Sequence, residues 1–465
     1  MTKPRLPYQV PFPVEPMNYE SALAHLHGIL RLGICPMLET VIDMLEELGR
    51  PDARFDVVQV AGTNGKTSTS RYTAQILSGE GLKTALYTSP ELVDYTERME
   101  VEGAPVTGEQ FARGIAAAAE AGRRVNEARA LAGERPYDIT EFDTLTVAAC
   151  IVFAEMGVDV AVLEVGMGGR WDATTATRPA ATCVTGIGLD HTRILGDTLE
   201  AIAGEKAAVI KAGQTCVLGQ GTADPPSVQE VLLDRCAEQG VVPTVVRAAG
   251  QEAPEGLPVC RYRVASEPRA LGEPLVMDVE TPRAVYEGLS AVKPRYQAAN
   301  IACAVALAEG FLGRPLNTAA LAASVAACPT PGRFDLVRKT PPLLVDAAHN
   351  PQSIDVFLNS LGALDSSQGA PELVCAVLAD KDVAGIVDRL SRSFATVRVC
   401  QTPSPRALAA PELAALFGEA GCAVASVSPT VEGALKAAGD SPVVAVGSIT
   451  LAGEVCRLVG ACNKC

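Results

Sequence analysis

Residues 60–69 (VAGTNGKTST) hold the densest concentration of groups able to do chemistry. They follow a Val-rich apolar run at 55–61 and open into a segment with helical spacing. A glycine-flanked loop between a strand and a helix aims several backbone N–H groups, and the positive end of the helix dipole, at one point in space. That arrangement holds a phosphate. Lys66 adds a point charge for the β- and γ-phosphates, and Thr67 or Ser68 can offer a hydroxyl to Mg2+. The strict G-x-x-x-x-G-K-[S/T] pattern fails at one position, because Val60 stands where its first glycine belongs. A plain Gly/Thr turn is the alternative, and the lysine and its context favour an ATP phosphate site. A GTPase would also need Asn-Lys-x-Asp to read guanine, and the nearest candidate, Ala379-Asp380-Lys381-Asp382, lacks the Asn.

Three further stretches are rich in reactive groups. In 163–174 (LEVGMGGRWDAT), Glu164 closes an apolar run that predicts a buried strand. A carboxylate there is costly unless paired or bound to metal, and the carboxyl ends of strands are where open α/β sheets place ligands. Gly166, Gly168 and Gly169 permit close backbone approach, and Arg170 can hold an anionic intermediate. The bland alternative is a partly exposed carboxylate at a strand end. His191 follows a second predicted strand, next to Asp190, and could meet Glu164 at one metal, although a lone histidine is more often structural. Lys206 lies on a predicted helix, and spacing alone makes it an ordinary solvated lysine. Near the C-terminus, Asp346, His349 and Asn350 (VDAAHNP) follow one more strand. With PGRFD at 331–335, LADKD at 378–382 and VGSITLAGE at 446–454, they suggest polar groups facing the phosphate loop across an inter-domain cleft.

These groups need rigid elements to position them. The chain has 465 residues, enough for two or three domains at about 150 residues each. Hydrophobic residues make up 48% and aromatics only 4%, so the core must be built from Ala, Val, Leu and Ile. A net charge of −15 argues against gripping nucleic acid or an anionic membrane by bulk charge. An anionic substrate would therefore need local positive potential. No apolar run reaches the ~18 residues of a membrane span, and the first residues lack the apolar core of a secretory signal. The fourteen cysteines are scattered, several (Cys150, Cys183, Cys303, Cys375) within apolar runs, and read as reduced core thiols of a cytoplasmic protein.

Strand 55–61, a helix to residue 77 and strand 84–87 form a βαβ pattern. Helices follow at 109–132 and 140–156, then strands at 158–165, 181–187 and 215–218, with a helix at 199–211. Alternation of this kind predicts a mostly parallel sheet covered on both faces. Residues 248–294 read as irregular or hairpin structure at its edge. Helices at 297–311 and 319–327 precede CPTPGR (328–333), which has the Pro/Gly content of a linker. Apolar runs at 343–345, 373–378, 396–399 and 443–446 then alternate with helical segments. The fold class is α/β: an N-terminal P-loop-type, mostly parallel sheet ATPase domain over 1–330, plus a smaller C-terminal Rossmann-like α/β domain over 331–465.

GTNGK, LYTSP, TERMEVEG, LEVGMGGRWDAT, LDHTRILGDTLEAIAGEKA, PGRF, DAAHNP and DKD occur in this order. Together they resemble the folylpolyglutamate synthase / dihydrofolate synthase family, a branch of the Mur ligase superfamily, from about residue 32 to residue 460. Muramyl ligases share GTNGKT but carry a UDP-sugar-binding domain before it, and the roughly sixty residues before Gly62 fall short of the ~100–150 typical of a domain. The resemblance implies an ATP-dependent, ADP-forming ligase. It would join L-glutamate to dihydropteroate and/or to the γ-carboxyl of a reduced folate through an acyl phosphate.

It implies further that Thr63, Asn64, Gly65 and Lys66, with Thr67 and Ser68 beside them, hold the phosphates, and that Ser89, Glu164 and His191 bind Mg2+. By the same resemblance Lys206 is a carbamylated lysine at a second Mg2+, against the reading from spacing. Asn300, Arg333 and Asp346 become nucleotide contacts, His349 and Ser448 contacts for the incoming glutamate, and Glu141, Trp171, Asp172 and Ala173 the pterin side. Besides two Mg2+ sites there is room for K+ or another monovalent cation. The partners implied are small molecules, with no nucleic acid and no membrane, and the family suggests a monomer. The sequence departs from the family at Thr67 (usually Gly), Glu91 (often His), Thr175 (often Asn) and Tyr296 (usually His). Three alternatives stand: a synthase that only extends folates, a nucleotide-binding regulator that has lost ligase activity, and a metal-binding protein using Cys456, Cys462 and Cys465. The last offers a single C-x-x-C pair where zinc sites need four ligands.

Overall fold

The computed structural model describes residues 7–29, 37–364 and 371–460. Cys462 and Cys465 lie outside the described residues, as do residues 32–36, where the resemblance begins. Strands of Val, Ala and Leu assemble two sheets. The first contains β1 (Asp56–Ala61), β2 (Thr84–Tyr87), β3 (Met99–Val101), β4 (Ala104–Pro105), β5 (Val160–Glu164), β6 (Ala181–Gly186), β7 (Thr215–Gly221), β8 (Thr244–Ala248), β9 (Val259–Ser266), β10 (Leu275–Glu280) and β11 (Val285–Ala291). Their order across the sheet is β11-β10-β9-β8-β7-β6-β1-β5-β2-β3-β4. From β9 through β2 neighbouring strands run parallel. The sheet is edged by antiparallel pairings of β9, β10 and β11 on one side and of β2, β3 and β4 on the other.

β1 lies between β5 and β6, with Val60 opposite both Glu164 and Cys183. The chain passes from β1 to β2 on one side of β1 and later from β5 to β6 on the other, so a crevice opens at the carboxyl ends of these strands, where such sheets bind ligands. The helix Lys66–Gly79 leaves that crevice and packs against Gln297–Leu312. On the other face, Glu141–Met156 packs against Gly108–Leu131. Thr140 caps the former, its hydroxyl accepting the Asp143 N–H at 3.1 Å, which is why that helix starts one residue later than its composition suggests. Helix Leu199–Ala207 ends four residues short of the predicted span. Residues 248–294, expected to be irregular or hairpin, contribute the three antiparallel edge strands.

The second sheet holds β12 (Asp335–Lys339), β13 (Pro342–Asp346), β14 (Glu372–Cys375), β15 (Thr396–Cys400), β16 (Ala423–Ser428) and β17 (Val443–Val446), in the order β12-β13-β17-β14-β15-β16. All pairings are parallel except β12 with β13. The sequence reading missed β12 and β16, which sit at the sheet's edges with half-exposed residues. It looked for continuous apolar runs, and an edge strand needs none. It also missed helices Tyr19–Ile29 and Leu38–Glu47, which cover Gly108–Leu131 with Leu26, Val41, Met44 and Leu45.

Arg71, on the helix that leaves the phosphate loop, grips Glu100 of β3 with two hydrogen bonds of 2.6 and 3.2 Å, both side chains being buried. This pair ties the loop's helix to the sheet's antiparallel edge. Removing one partner strands a buried charge, which costs about 3–5 kcal/mol. We expect Glu100→Ala to lower the apparent urea midpoint markedly, and Arg71→Met with Glu100→Leu to recover most of the loss.

Candidate active site

A cavity of about 480 Å³ opens between the two sheets' domains. The first contributes Thr63–Ser68, Ser89, Glu164, Asp190, His191 and Asn300 to its wall, and the second Arg333, Asp346, His349 and Lys381. Gly65 turns at φ +86° to start the helix, and a Cβ there would stand 2.5 Å from Asn300 Oδ1. Thr63 Oγ1 accepts the Gly188 N–H at 3.0 Å, fixing the loop to the chain after β6. Lys66 Nζ donates to Thr63 O at 3.1 Å, so its ammonium curls over its own loop. Ser68, by contrast, is buried and accepts from Gln297 Nε2 at 3.1 Å.

Glu164 is buried at the end of β5. Its Oε1 accepts the Thr67 hydroxyl at 2.9 Å, whereas Oε2 is buried with no hydrogen-bond partner. Burial raises its pKa, while Lys66, the Thr67 hydroxyl, Arg333 and the Ser89 N–H act against the rise. A carboxylate oxygen left open beside the Thr67 hydroxyl suits a hard cation that prefers oxygen ligands. His191 is placed differently. Its backbone is left-handed at φ +50°, and its Nε2 lies 3.8 Å from Asp190 Oδ2. Among the described residues, no three His, Cys, Asp or Glu side chains gather as a metal site.

Lys206 is buried, its Nζ donating to Gly62 O at 2.9 Å beneath the loop. The solvated lysine read from spacing is thus incorrect, because its helix turns this face inward. Burial and the nearby Lys66 charge lower its pKa to about 7, against Asp190 and Asp172. His349 fixes its ring by Nδ1 contact with Ala347 O at 2.9 Å, leaving Nε2 toward the cavity, 4.0 Å from Asp190 Oδ2. Burial and Lys381 lower its pKa to about 4, so it is neutral near pH 7.

Asp346 is buried and accepts the Phe334 N–H at 2.7 Å and the Ala348 N–H at 2.8 Å, organising the turn that carries Arg333. Asn300 donates to Gln297 Oε1 at 2.9 Å. Asp190 was singled out in the sequence only as the neighbour of His191. It is the hub here, with Lys381 Nζ at 3.1 Å and both histidines near. Burial pushes its pKa up, yet His191, Lys381 and His349 hold it below the ordinary carboxylate range. Gln352, which the sequence reading passed over, accepts from Asn64 Nδ2 at 2.8 Å and so joins the loop to the second domain.

Other predicted residues lie apart from the cavity wall. Arg170 pairs at the surface with Glu205 at 2.9 Å. Trp171 is half exposed and Ala173 buried. Asp172 accepts from the N–H groups of Gly166, Met167 and Thr174, so its carboxylate shapes the glycine-rich loop. Glu141 accepts the Tyr95 hydroxyl at 2.8 Å. Ser448 caps the helix Ile449–Val459, its hydroxyl accepting the Leu451 N–H at 3.2 Å.

Since Gly65 needs a left-handed backbone, which costs an ordinary residue about 1–2 kcal/mol, and has no room for a Cβ, Gly65→Ala should weaken ADP binding roughly tenfold or more. Calorimetric titration would show this, while the melting temperature moves little.

Residues 60–308 match the Mur ligase middle domain, and 332–448 match the Mur ligase glutamate ligase domain. The chain is 30% identical over 451 residues to the folylpolyglutamate synthase of Lacticaseibacillus casei, covering 94% of this chain and 98% of that one. It is 34% identical over 401 residues to the dihydrofolate synthase/folylpolyglutamate synthase of Mycobacterium tuberculosis, covering 83% and 78%. Among solved structures, M. tuberculosis folylpolyglutamate synthase complexed with ADP superposes with a TM-score of 0.83 at 30% identity, covering 95% of this chain and 98% of that one. E. coli FolC in complex with DHPP and ADP gives 0.80 at 26%, covering 97% and 100%. The chain belongs to the Mur ligase family, and within it to the folylpolyglutamate synthase / dihydrofolate synthase branch.

Proposed function

We propose that this enzyme adds L-glutamate to dihydropteroate and to the γ-carboxyl of tetrahydrofolate, driven by ATP and proceeding through an acyl phosphate. The reading rests on one observation: a single cavity has a phosphate loop on one wall and Arg333, Asp346 and His349 on the other. In this reading residues 1–330 form the ATP-binding domain and 331–465 the ligase domain. In the same reading the enzyme is a cytoplasmic monomer with small-molecule partners, as the family resemblance suggests.

Joining a carboxylate to an amine is uphill in water. An acceptor carboxylate oxygen therefore attacks the γ-phosphorus, and ADP leaves with the bridging oxygen. The glutamate amine then attacks the acyl carbon, loses a proton and expels phosphate. Positioning and charge neutralisation supply most of the catalysis of phosphoryl transfer. The Thr63–Ser68 loop and Lys66 would orient the β- and γ-phosphates, with Asn300 beside the loop and Arg333 and Asp346 fixing the nucleotide from the far side. His349 and Ser448 would face the incoming glutamate. His349, neutral with Nε2 toward the cavity, suits a hydrogen-bonding role toward the amine or its carboxylates. Trp171, Asp172, Ala173 and Glu141 would lie on the pterin side, with Arg170 near the anionic intermediate. A closed cleft keeps water from the acyl phosphate.

Glu164, with Thr67, Ser89 and His191, would hold Mg2+, and Lys206 a second one. The metal would neutralise phosphate charge and polarise the γ-phosphoryl group. A buried amine with a pKa of about 7 is substantially uncharged near neutrality, so Lys206 can add to CO2 and release a proton, giving a carbamate. Labelled bicarbonate should give a 13C carbamate signal that disappears in Lys206→Arg, with activity reduced at least a hundredfold.

Glutamate-dependent phosphate release with Mg-ATP tests the function itself. Turnover is expected with both dihydropteroate and tetrahydrofolate. Turnover with tetrahydrofolate alone would restrict the enzyme to chain extension, and turnover with neither would overturn the assignment.

A further inference from the structure

The chain crosses between the domains once, at 328–334, and Arg333 is carried on that crossing. The turn is conformationally demanding. Gly332 has φ +65°, and Phe334, with no glycine's freedom, has φ +48°. Hydrogen bonds from the second domain hold part of it: the Gly332 N–H to Asp335 Oδ2 at 3.1 Å, the Ala347 N–H to Gly332 O at 2.9 Å, and Asp346 on the Phe334 N–H. Among the described residues, one first-domain side chain donates a hydrogen bond to it: Lys293, whose Nζ donates to Arg333 O at 3.0 Å.

Lys293 stands just before the helix Gln297–Leu312. The same stretch sends Tyr296 Oη to Asp346 Oδ2 at 3.3 Å and places Asn300 in the cavity wall. Lys293 is itself outside the wall and half-buried. Burial lowers its pKa, and Asp335 and Asp346 oppose the shift. A half-buried amine spanning the domain boundary to a single carbonyl fixes the main chain of that residue relative to the phosphate loop.

We propose that Lys293 is a positioning residue for nucleotide binding: by holding the Arg333 carbonyl from the first domain, it sets where the Arg333 guanidinium enters the cleft. This rests on the nucleotide role assigned to Arg333 above. Lys293 lies outside the cavity wall, so its whole effect should pass through Arg333.

A double-mutant cycle on the full-length enzyme tests this, with ADP titrated calorimetrically into wild type, Lys293→Met, Arg333→Ala and the double variant. Lys293→Met should weaken ADP roughly five- to tenfold, the scale of one hydrogen bond to a charged group. In the Arg333→Ala background the same change should have less than about a twofold effect, because residues acting in series are not additive. Lys293→Arg, which keeps a donor, should restore binding. In turnover, KM for ATP should rise in Lys293→Met while KM for glutamate stays within about twofold, a split that general destabilisation would not produce. Should Lys293→Met fail to fold, Lys293→Gln enters the same cycle.

Effects that multiply across the cycle would overturn the proposal. So would wild-type ADP affinity in Lys293→Met while Arg333→Ala binds weakly. Wild-type affinity in Arg333→Ala would instead overturn the nucleotide role of Arg333, and the proposal with it.

Discussion

A carboxylate buried at the end of a central strand, with one oxygen unpaired, governs the arrangement around it. Glu164 cannot be left alone in a low-dielectric site without a large penalty. Its surroundings answer that penalty with one hydroxyl, one backbone N–H and the fields of Lys66 and Arg333. Oε2 remains without a hydrogen-bond partner. The register of β1 with β5 puts Glu164 beside Val60, directly before the phosphate loop. The same pairing that builds the sheet therefore brings the buried carboxylate and the Thr63–Ser68 loop together.

The second domain supplies what an acidic chain otherwise lacks. The protein carries −15 overall, yet Lys66, Arg333 and Lys381 all reach one cavity. Asp190 keeps Lys381, His191 and His349 close without filling the site. The contacts with Lys381 and His349 cross the domain boundary, as does the Asn64–Gln352 amide pair. The contacts that join the two domains thus also bring the second domain's cations to the cavity.

Much of this was legible in the sequence because the relevant signals are local. A Val-rich strand, Gly-x-x-Gly-Lys-Thr and a helix mark the loop that lines the cavity, and a carboxylate closing an apolar run marks Glu164. Lys206 was not legible from spacing, since whether a helical lysine faces solvent depends on how the helix packs, and its partner, Gly62 O, is 144 residues away. Asp172, which the family resemblance puts on the pterin side, has hydrogen-bond partners within six residues of it and shapes a loop, a role that spacing did not reveal. The edge strands β12 and β16 and the two N-terminal helices escaped because their burial is partial and set by neighbours far along the chain. Asp190 was visible as a residue and invisible as a hub, because two of its three partners come from the other domain.

The most direct measurement is calorimetric binding of ADP to wild type and Glu164→Gln, each with Mg2+ and with EDTA. Wild type should bind far more tightly with Mg2+, and Glu164→Gln should lose that gain while keeping its metal-free affinity. If Glu164→Gln retained the full Mg2+ enhancement, the metal would be held elsewhere, and the central role given to this buried carboxylate would be wrong.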